Sequence, residues 1–392
     1  MICLLAFALV QAPSPPGLGL SEAWQSALQR RGLARSASAA IAGADAGVRL
    51  AGQVPNPGLS VSHTGSTPRG HLLVDQPFSW LLTRGPDRDV ARAALQRSQV
   101  DSAVDLARLG AEVRGAFYGA LSREERRRLR SDQQLVADSL VGIARRRYRA
   151  GDIAQFELEQ VELESSLQSQ LLGAEGDEVA VARASLAATI GWPSDSLPPL
   201  TGGLDDGLIE TRDSVAAFDL PAVRAAEADS SLAALSVHSA KRARIPFPSL
   251  EVGTEWDDPA YPGQNFAVVG LAIPVPLWDW GGGQIALAKA RAEGASAQLL
   301  ETRLASRRVI AEARIRLRGT AARALFARDS LVPAAARLRT RALAAYQAGE
   351  TGLTPVLEAI RREREVQLGE IEALIAFQDA VASLQEILGE TP

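Results

Sequence analysis

The chain has 392 residues, 46% of them hydrophobic and 22% charged, with a formal net charge of −4. Its 42 basic residues include only two lysines, Lys241 and Lys289, and are interleaved with 46 acids. No basic patch or stripe emerges, so nucleic-acid binding is excluded as a reading. The mixture fits solvated helix faces, and the single cysteine, Cys3, excludes a disulfide framework.

Residues 1–12 form an apolar run ending Val10-Gln11-Ala12. They read as a secretory signal peptide, although a basic leader is missing. Residues 18–52 are rich in Ala and Leu and read as a helix, with Ser21 as its cap and Pro55 and Pro57 beyond its end. Residues 58–64 alternate apolar and polar, and 71–76 return towards Pro77, giving a β-hairpin over 57–77. From about 86 to 148 no proline interrupts a helical pattern. A helix of ~62 residues would be ~93 Å long and must lie lengthwise against other helices. Gly151 ends it, and a return helix covers 153–190. A connector rich in Pro, Gly and Asp follows over 193–211, then a helix over 212–244. Strands are expected at 249–256 and 265–273, a hairpin spanning 248–276. A second long helix over 284–347, interruptible at Pro333, and a last helix over 354–388 complete the chain.

The plan is stated twice. Tyr148-Arg149-Ala150-Gly151-Asp152 returns as Tyr346-Gln347-Ala348-Gly349-Glu350, and the hinges Gln76-Pro77-Phe78 and Val275-Pro276-Leu277 precede them at similar spacing. A long internal repeat fixes architecture before any motif does. The halves are 18–192 and 212–390, with tips at 148–152 and 346–352. The fold class is mainly α with a small β part: long antiparallel helical hairpins, each topped by a β-hairpin. No later segment offers ~18 consecutive apolar residues, so no transmembrane helix is expected.

Four strands of membrane-spanning length cannot stand alone in lipid, because an open sheet leaves edge groups unpaired. Outer-membrane barrels have eight strands or more, so several chains would have to pool theirs. Phe78, Trp80, Trp278 and Trp280 gather at one end of the strands, and Trp256, Tyr261 and Phe266 at the other, like the two aromatic girdles of such barrels.

In this order and spacing, the two strands opened by Pro57 and Pro248, the two hinges, the run Pro276-Leu277-Trp278-Asp279-Trp280-Gly281-Gly282-Gly283 and the two Tyr-x-x-Gly turns carry a resemblance. The chain resembles the TolC family of outer-membrane efflux proteins over about 18–390, nearer its heavy-metal and small-molecule branch. The resemblance implies a homotrimer, with four strands per chain closing a twelve-stranded barrel in outer-membrane lipid and the helices forming an α-barrel across the periplasm. It implies docking of a periplasmic adaptor at Tyr148, Gly151, Asp152, Tyr346, Gly349 and Glu350. The adaptor would link the channel to an inner-membrane RND pump or ABC exporter, and 193–211 would form an equatorial connector. Pro77 and Pro276 would be barrel-to-helix hinges. Gate-type acids would fall at 355 and 358, here Pro355 and Glu358; their first-half counterparts are Glu157 and Gln160. Glu358, joined by Glu157, is therefore the expected carboxylate lining of the lumen, which would favour cations.

No catalytic residue or cofactor is expected. Gly281-Gly282-Gly283-Gln284 lacks the Lys-Ser/Thr of a P-loop. His63 and His71, across the first hairpin, offer two metal ligands where zinc needs three or four. The competing reading is a soluble periplasmic coiled-coil adaptor or scaffold without a pore. That would call for one helical hairpin flanked by lipoyl-like β-segments, which the twofold repeat opposes.

Overall fold

The computed structural model describes residues 17–208 and 220–392, with Ser194 described by its backbone alone. The signal peptide expected at 1–12, the end of the connector and the start of the helix expected from 212 lie outside the described residues. The elements are α1 (Leu20–Arg30), α2 (Leu33–Ala51), β1 (Gly58–His63), β2 (Gly70–Pro77), α3 (Trp80–Ala150), α4 (Gln155–Ile190), α5 (Pro221–Ala243), β3 (Ser249–Trp256), β4 (Phe266–Ala272), α6 (Gly282–Phe326), α7 (Val332–Gln347) and α8 (Leu353–Leu388). A π-helical turn, Ala327–Leu331, joins α6 to α7.

Four expectations need adjusting. The helix expected over 18–52 is two helices, parted at Arg31-Gly32. Its first turn is closed by Glu22, whose carboxylate accepts the Gly19 N–H at 2.9 Å, and not by Ser21. Helix α3 begins at Trp80 and carries Pro86 inside it. The Phe78 and Ser79 carbonyls accept from Leu81 and Thr83 at 3.0 and 3.3 Å, so the helix is nucleated before the proline is reached. The interruption expected at Pro333 is the π turn just before it. A proline has no N–H for the carbonyl one turn back, and the wider turn accommodates that loss.

The repeat is close in its return helices. α4 and α8 both have 36 residues. Gly151, Gly191, Gly349 and Gly389 follow α3, α4, the α7 segment and α8, each with φ between 68° and 81°. The hydrogen bonds explain why. At the first tip Asp152 N–H donates to Arg147 O at 2.9 Å and Gly151 N–H to Tyr148 O at 3.0 Å; at the second, Glu350 donates to Ala345 O and Gly349 to Tyr346 O at 2.9 and 3.1 Å. Both are Schellman caps, which need a left-handed residue after the last turn.

The chain divides into two compact units, each drawing on both halves. One comprises 1–34, 106–215 and 310–392. Its larger core sets Leu109, Val113, Phe117 and Leu121, one stripe of α3, against Leu186 and Ile190 of α4 and Leu374 and Phe377 of α8. The described part of the connector belongs to that core: Leu197, Leu200, Leu204 and Leu208 are buried in it. The Gln378 amide donates to Leu204 O and Asp206 O at 2.8 and 2.9 Å, and Arg183 donates to Leu197 O at 2.6 Å. A smaller core joins Leu140, Val141 and Ala144 to Val161, Tyr346, Leu353, Val356, Leu357 and Ile360.

The other unit comprises 35–105 and 216–309. It holds one four-stranded antiparallel sheet in the order β1-β2-β3-β4. The two expected hairpins are thus joined, β2 pairing with β3 from Gly70↔Trp256 to Pro77↔Ser249. Helix α5 is tied to α3 by the Arg97–Asp229 ion pair at 2.7 Å, and to α6 by Glu227–Arg303 at 2.8 Å.

Candidate functional site

Two places concentrate what the sequence singled out: the sheet in one unit and the two helical turns in the other.

Register sorts the side chains of the sheet onto two faces. Leu59, Val74, Val252 and Val269 form one cross-strand row; Val61, Leu72, Thr254 and Ala267 form the next; Gln76, Leu250 and Leu271 continue it. This face is apolar, and Leu59, Val61, Val252, Val269 and Leu271 on it are exposed. Asp75, Glu251 and Glu255, the only carboxylates of the strands, all lie on the opposite face. Strands of period two with one apolar and one polar face are the pattern of a wall between lipid and water. The ladders run six to eight residues: β1 and β4 are slightly shorter than expected, β3 has the expected bounds and β2 is longer. Apolar exposure continues past β4 through Ile273 and Val275.

Two glycines in the sheet are there because nothing else fits. A Cβ on Gly70 would come within 2.2 Å of the Trp256 ring, and one on Gly253 within 2.0 Å of the Leu72 carbonyl oxygen. Trp256 therefore lies flat on the strand, covering backbone that would otherwise be bare. Tyr261 and Phe266 meet edge to face at 5.6 Å beside the β3–β4 loop. At the strands' other end Phe78 N–H donates to Pro248 O at 3.3 Å, and Trp80 opens α3. Pro77 is the last residue of β2, whereas Pro276 lies beyond β4. Trp278 is 91% exposed and Trp280 61%. His63 and His71 do not face each other. His71 pairs with Ser62 in the register and turns to Glu255, its Nδ1 3.1 Å from Oε1, while His63 lies opposite Gly70. No group of metal-binding residues occurs among the described residues.

The two helical turns share a backbone but not an environment. Gly151, Asp152, Gly349 and Glu350 are exposed, and no atom lies within 4 Å of a Cβ built on either glycine. Tyr148 is 41% exposed. Its counterpart Tyr346 is fully buried, which corrects its assignment to a docking surface. The Arg147 guanidinium lies over the Tyr346 ring at 4.6 Å and donates to its carbonyl at 3.2 Å. The two turns are thereby clasped together, and no sequence signal beyond the basic residue before Tyr148 marked this. Glu358 is exposed on α8 beside buried Leu357, and Glu157 is half-buried in the first turn of α4. Pro355 occupies the first turn of α8, where a missing N–H costs nothing.

The outer membrane efflux protein family model matches residues 216–390. The second half of the chain is thus similar to the outer membrane efflux protein family. It is 24% identical over 364 residues to the cobalt-zinc-cadmium resistance protein CzcC of Cupriavidus metallidurans, covering 88% of this chain and 84% of that protein. Its fold is that of solved outer-membrane proteins. VceC of Vibrio cholerae superposes with a TM-score of 0.78 at 19% identity, over 95% of this chain and 96% of that one. CusC gives 0.80 at 17% identity, over 98% and 96%. The matching family is one of outer-membrane efflux proteins, and the solved neighbours share this chain's fold. None of its described helices is long and apolar enough to cross a membrane.

Proposed function

We propose that this protein is an outer-membrane efflux channel, three copies of which pool their sheets into a twelve-stranded barrel in the outer membrane. The assembly would conduct small molecules, drugs or metal ions outward without chemistry of its own. One observation carries the reading: a sheet with an apolar face, all its carboxylates on the other face, and two edge strands, β1 and β4, each paired on one side only among the described residues. In lipid those edges must be paired, and another copy supplies the matching strand. Apolar stripes on the helices favour the same assembly. Phe156, Leu163, Leu167 and Leu171 fall on one side of α4 and are all exposed, Phe156 to 66%. The resistance to cobalt, zinc and cadmium named for the relative from Cupriavidus metallidurans makes divalent metals one candidate cargo.

The Gly151 and Gly349 turns are the docking point in this reading. Asp152, Glu350 and Tyr148 offer the exposed polar surface for a periplasmic adaptor, which leads in turn to an RND pump or ABC exporter. Glu358 and Glu157 would line the constriction. Neither forms an ion pair among the described residues, which leaves both carboxylates available to an aqueous lumen.

The test is electrical and biochemical together. The purified protein added to planar bilayers should give discrete, uniform conductance steps, and detergent extraction of the outer membrane should recover it at three chain masses. Recovery from the soluble periplasm with no conductance would overturn the channel and return the pore-free scaffold.

A further inference from the structure

In the unit that carries the sheet, a cleft of about 770 Å³ opens between the end of α5 and the start of α6. Its polar lining includes Ser236, Ser239, Arg244, Gln284 and Arg291. Its two carboxylates are already engaged: Asp229 is bonded to Arg97 at 2.7 Å, and Asp279 accepts the Gly281 N–H at 2.8 Å. No hydrogen bond or ion pair of the Arg244 or Arg291 side chain occurs among the described residues. The cleft therefore has an excess of unanswered positive charge. Val90, Leu232 and Leu287 give it an apolar wall.

Its position says what kind of anion it meets. Arg244 lies against Gly281, whose Cβ would come within 3.3 Å of the Arg244 Cβ. The highly exposed Trp280 and Trp278 directly precede that glycine. Lys241 and Arg242, both exposed, sit in the last turn of α5. Five residues after Arg244 the chain enters β3. Tryptophan at the end of a membrane strand sits at headgroup level, and flanking cations there attract anionic lipid. A free anion would account for the arginines but not for the tryptophans.

We infer that this cleft binds the phosphodiester headgroup of an anionic phospholipid, with Arg244 and Arg291 on the phosphate and Trp278 and Trp280 at the acyl boundary. The inference rests on the membrane-spanning reading of the sheet. Lys and Arg at a helix end also complement its dipole, but that role would show no lipid preference.

Lipids with brominated acyl chains quench nearby tryptophan. In vesicles of phosphatidylcholine, brominated phosphatidylglycerol should quench the full-length protein more than brominated phosphatidylcholine at the same fraction, corresponding to about tenfold local enrichment. In Arg244→Gln/Arg291→Gln the excess should vanish while quenching by brominated phosphatidylcholine stays unchanged. Arg244→Lys should retain most of it. If the double variant does not insert, Arg291→Gln alone decides, with a several-fold loss expected. Equal quenching by both lipids in the unaltered protein, or an undiminished excess in the variant, overturns the inference and leaves the channel intact. Abolition of the excess by inorganic phosphate at constant ionic strength would reassign the cleft to a free anion. Quenching by neither lipid overturns the inference together with the membrane reading beneath it.

Discussion

Glu164 on α4 and Glu363 on α8 are both buried, yet their surroundings treat them oppositely. Burial pushes the Glu164 carboxyl up, but hydrogen bonds from Arg361 and Arg364 at 3.1 Å outweigh it and hold the group below the usual carboxylate range. Burial also pushes Glu363 up, and Arg339 offsets only part of that. The Arg339 Nε comes within 3.1 Å of the carboxylate but has no hydrogen-bond partner. Linkage then gives the signs. The depressed group stabilises the fold above its unfolded pKa, and that stability is lost as pH falls through the folded value. The raised group favours folding below its unfolded pKa, and the benefit is lost as pH rises through the folded value. Glu164→Gln should therefore cost about 2 kcal/mol at neutral pH, most of it disappearing in acid. Glu363→Gln should raise stability at neutral pH by up to ~1 kcal/mol and be silent in acid. Denaturant unfolding of the solubilised protein at both pH values checks this, and the same sign for both variants would refute it. The glycines make a second pair. Gly151→Ala meets no neighbour and should cost only the left-handed backbone, ~1 kcal/mol, whereas Gly191→Ala adds a Cβ 3.0 Å from that of Arg30 and should cost more.

The strands give an element-scale test with its own control. Val268 and Val269 are neighbours on β4, but Val269 belongs to the apolar face and Val268 to the face of the carboxylates. Val269→Lys should destabilise the inserted protein by ~2–4 kcal/mol, and Val268→Lys much less. Unfolding in lipid vesicles measures the difference; equal costs would mean that neither face meets lipid. Most elements were legible in the sequence, because prolines and glycines punctuate them and the period changes from two to helical between them. The union of the hairpins was not. β2 and β3 pair across a long stretch of chain, and alternation gives each strand's phase but not its neighbour. The repeat made Tyr148 and Tyr346 look alike, since both precede a left-handed glycine by three. It could not show that Arg147 lies on the ring of one and leaves the other in water. The lost Ser21 cap has the same origin: Glu22 reaches the Gly19 N–H first, a local contest that composition does not decide.

At the scale of the whole molecule, everything turns on what one chain leaves unfinished. A closed barrel has no edge, and the described sheet has two, so in the proposed channel copies would be arranged in a ring in which every chain occupies an equivalent place. Equivalence converts a single exposed side chain into a ring of charge. Glu358 is such a side chain. Its α8 neighbours Leu357 and Ala359 are buried while it is exposed, and nearby Arg361 and Arg362 already bond to Glu164 and Glu365. Three such carboxylates around a narrow lumen would draw cations and hold divalent ones longest. The first-half counterpart of Glu358, Gln160, carries no charge, and Glu157 is half-buried beside Tyr346. Glu358→Gln should therefore cut the preference for potassium over chloride several-fold in single-channel recordings and relieve block by divalent cations. Glu157→Gln should act in the same direction but more weakly. Unchanged selectivity and block in Glu358→Gln, with conductance steps still present, would remove Glu358 from the lumen while leaving the pore itself standing.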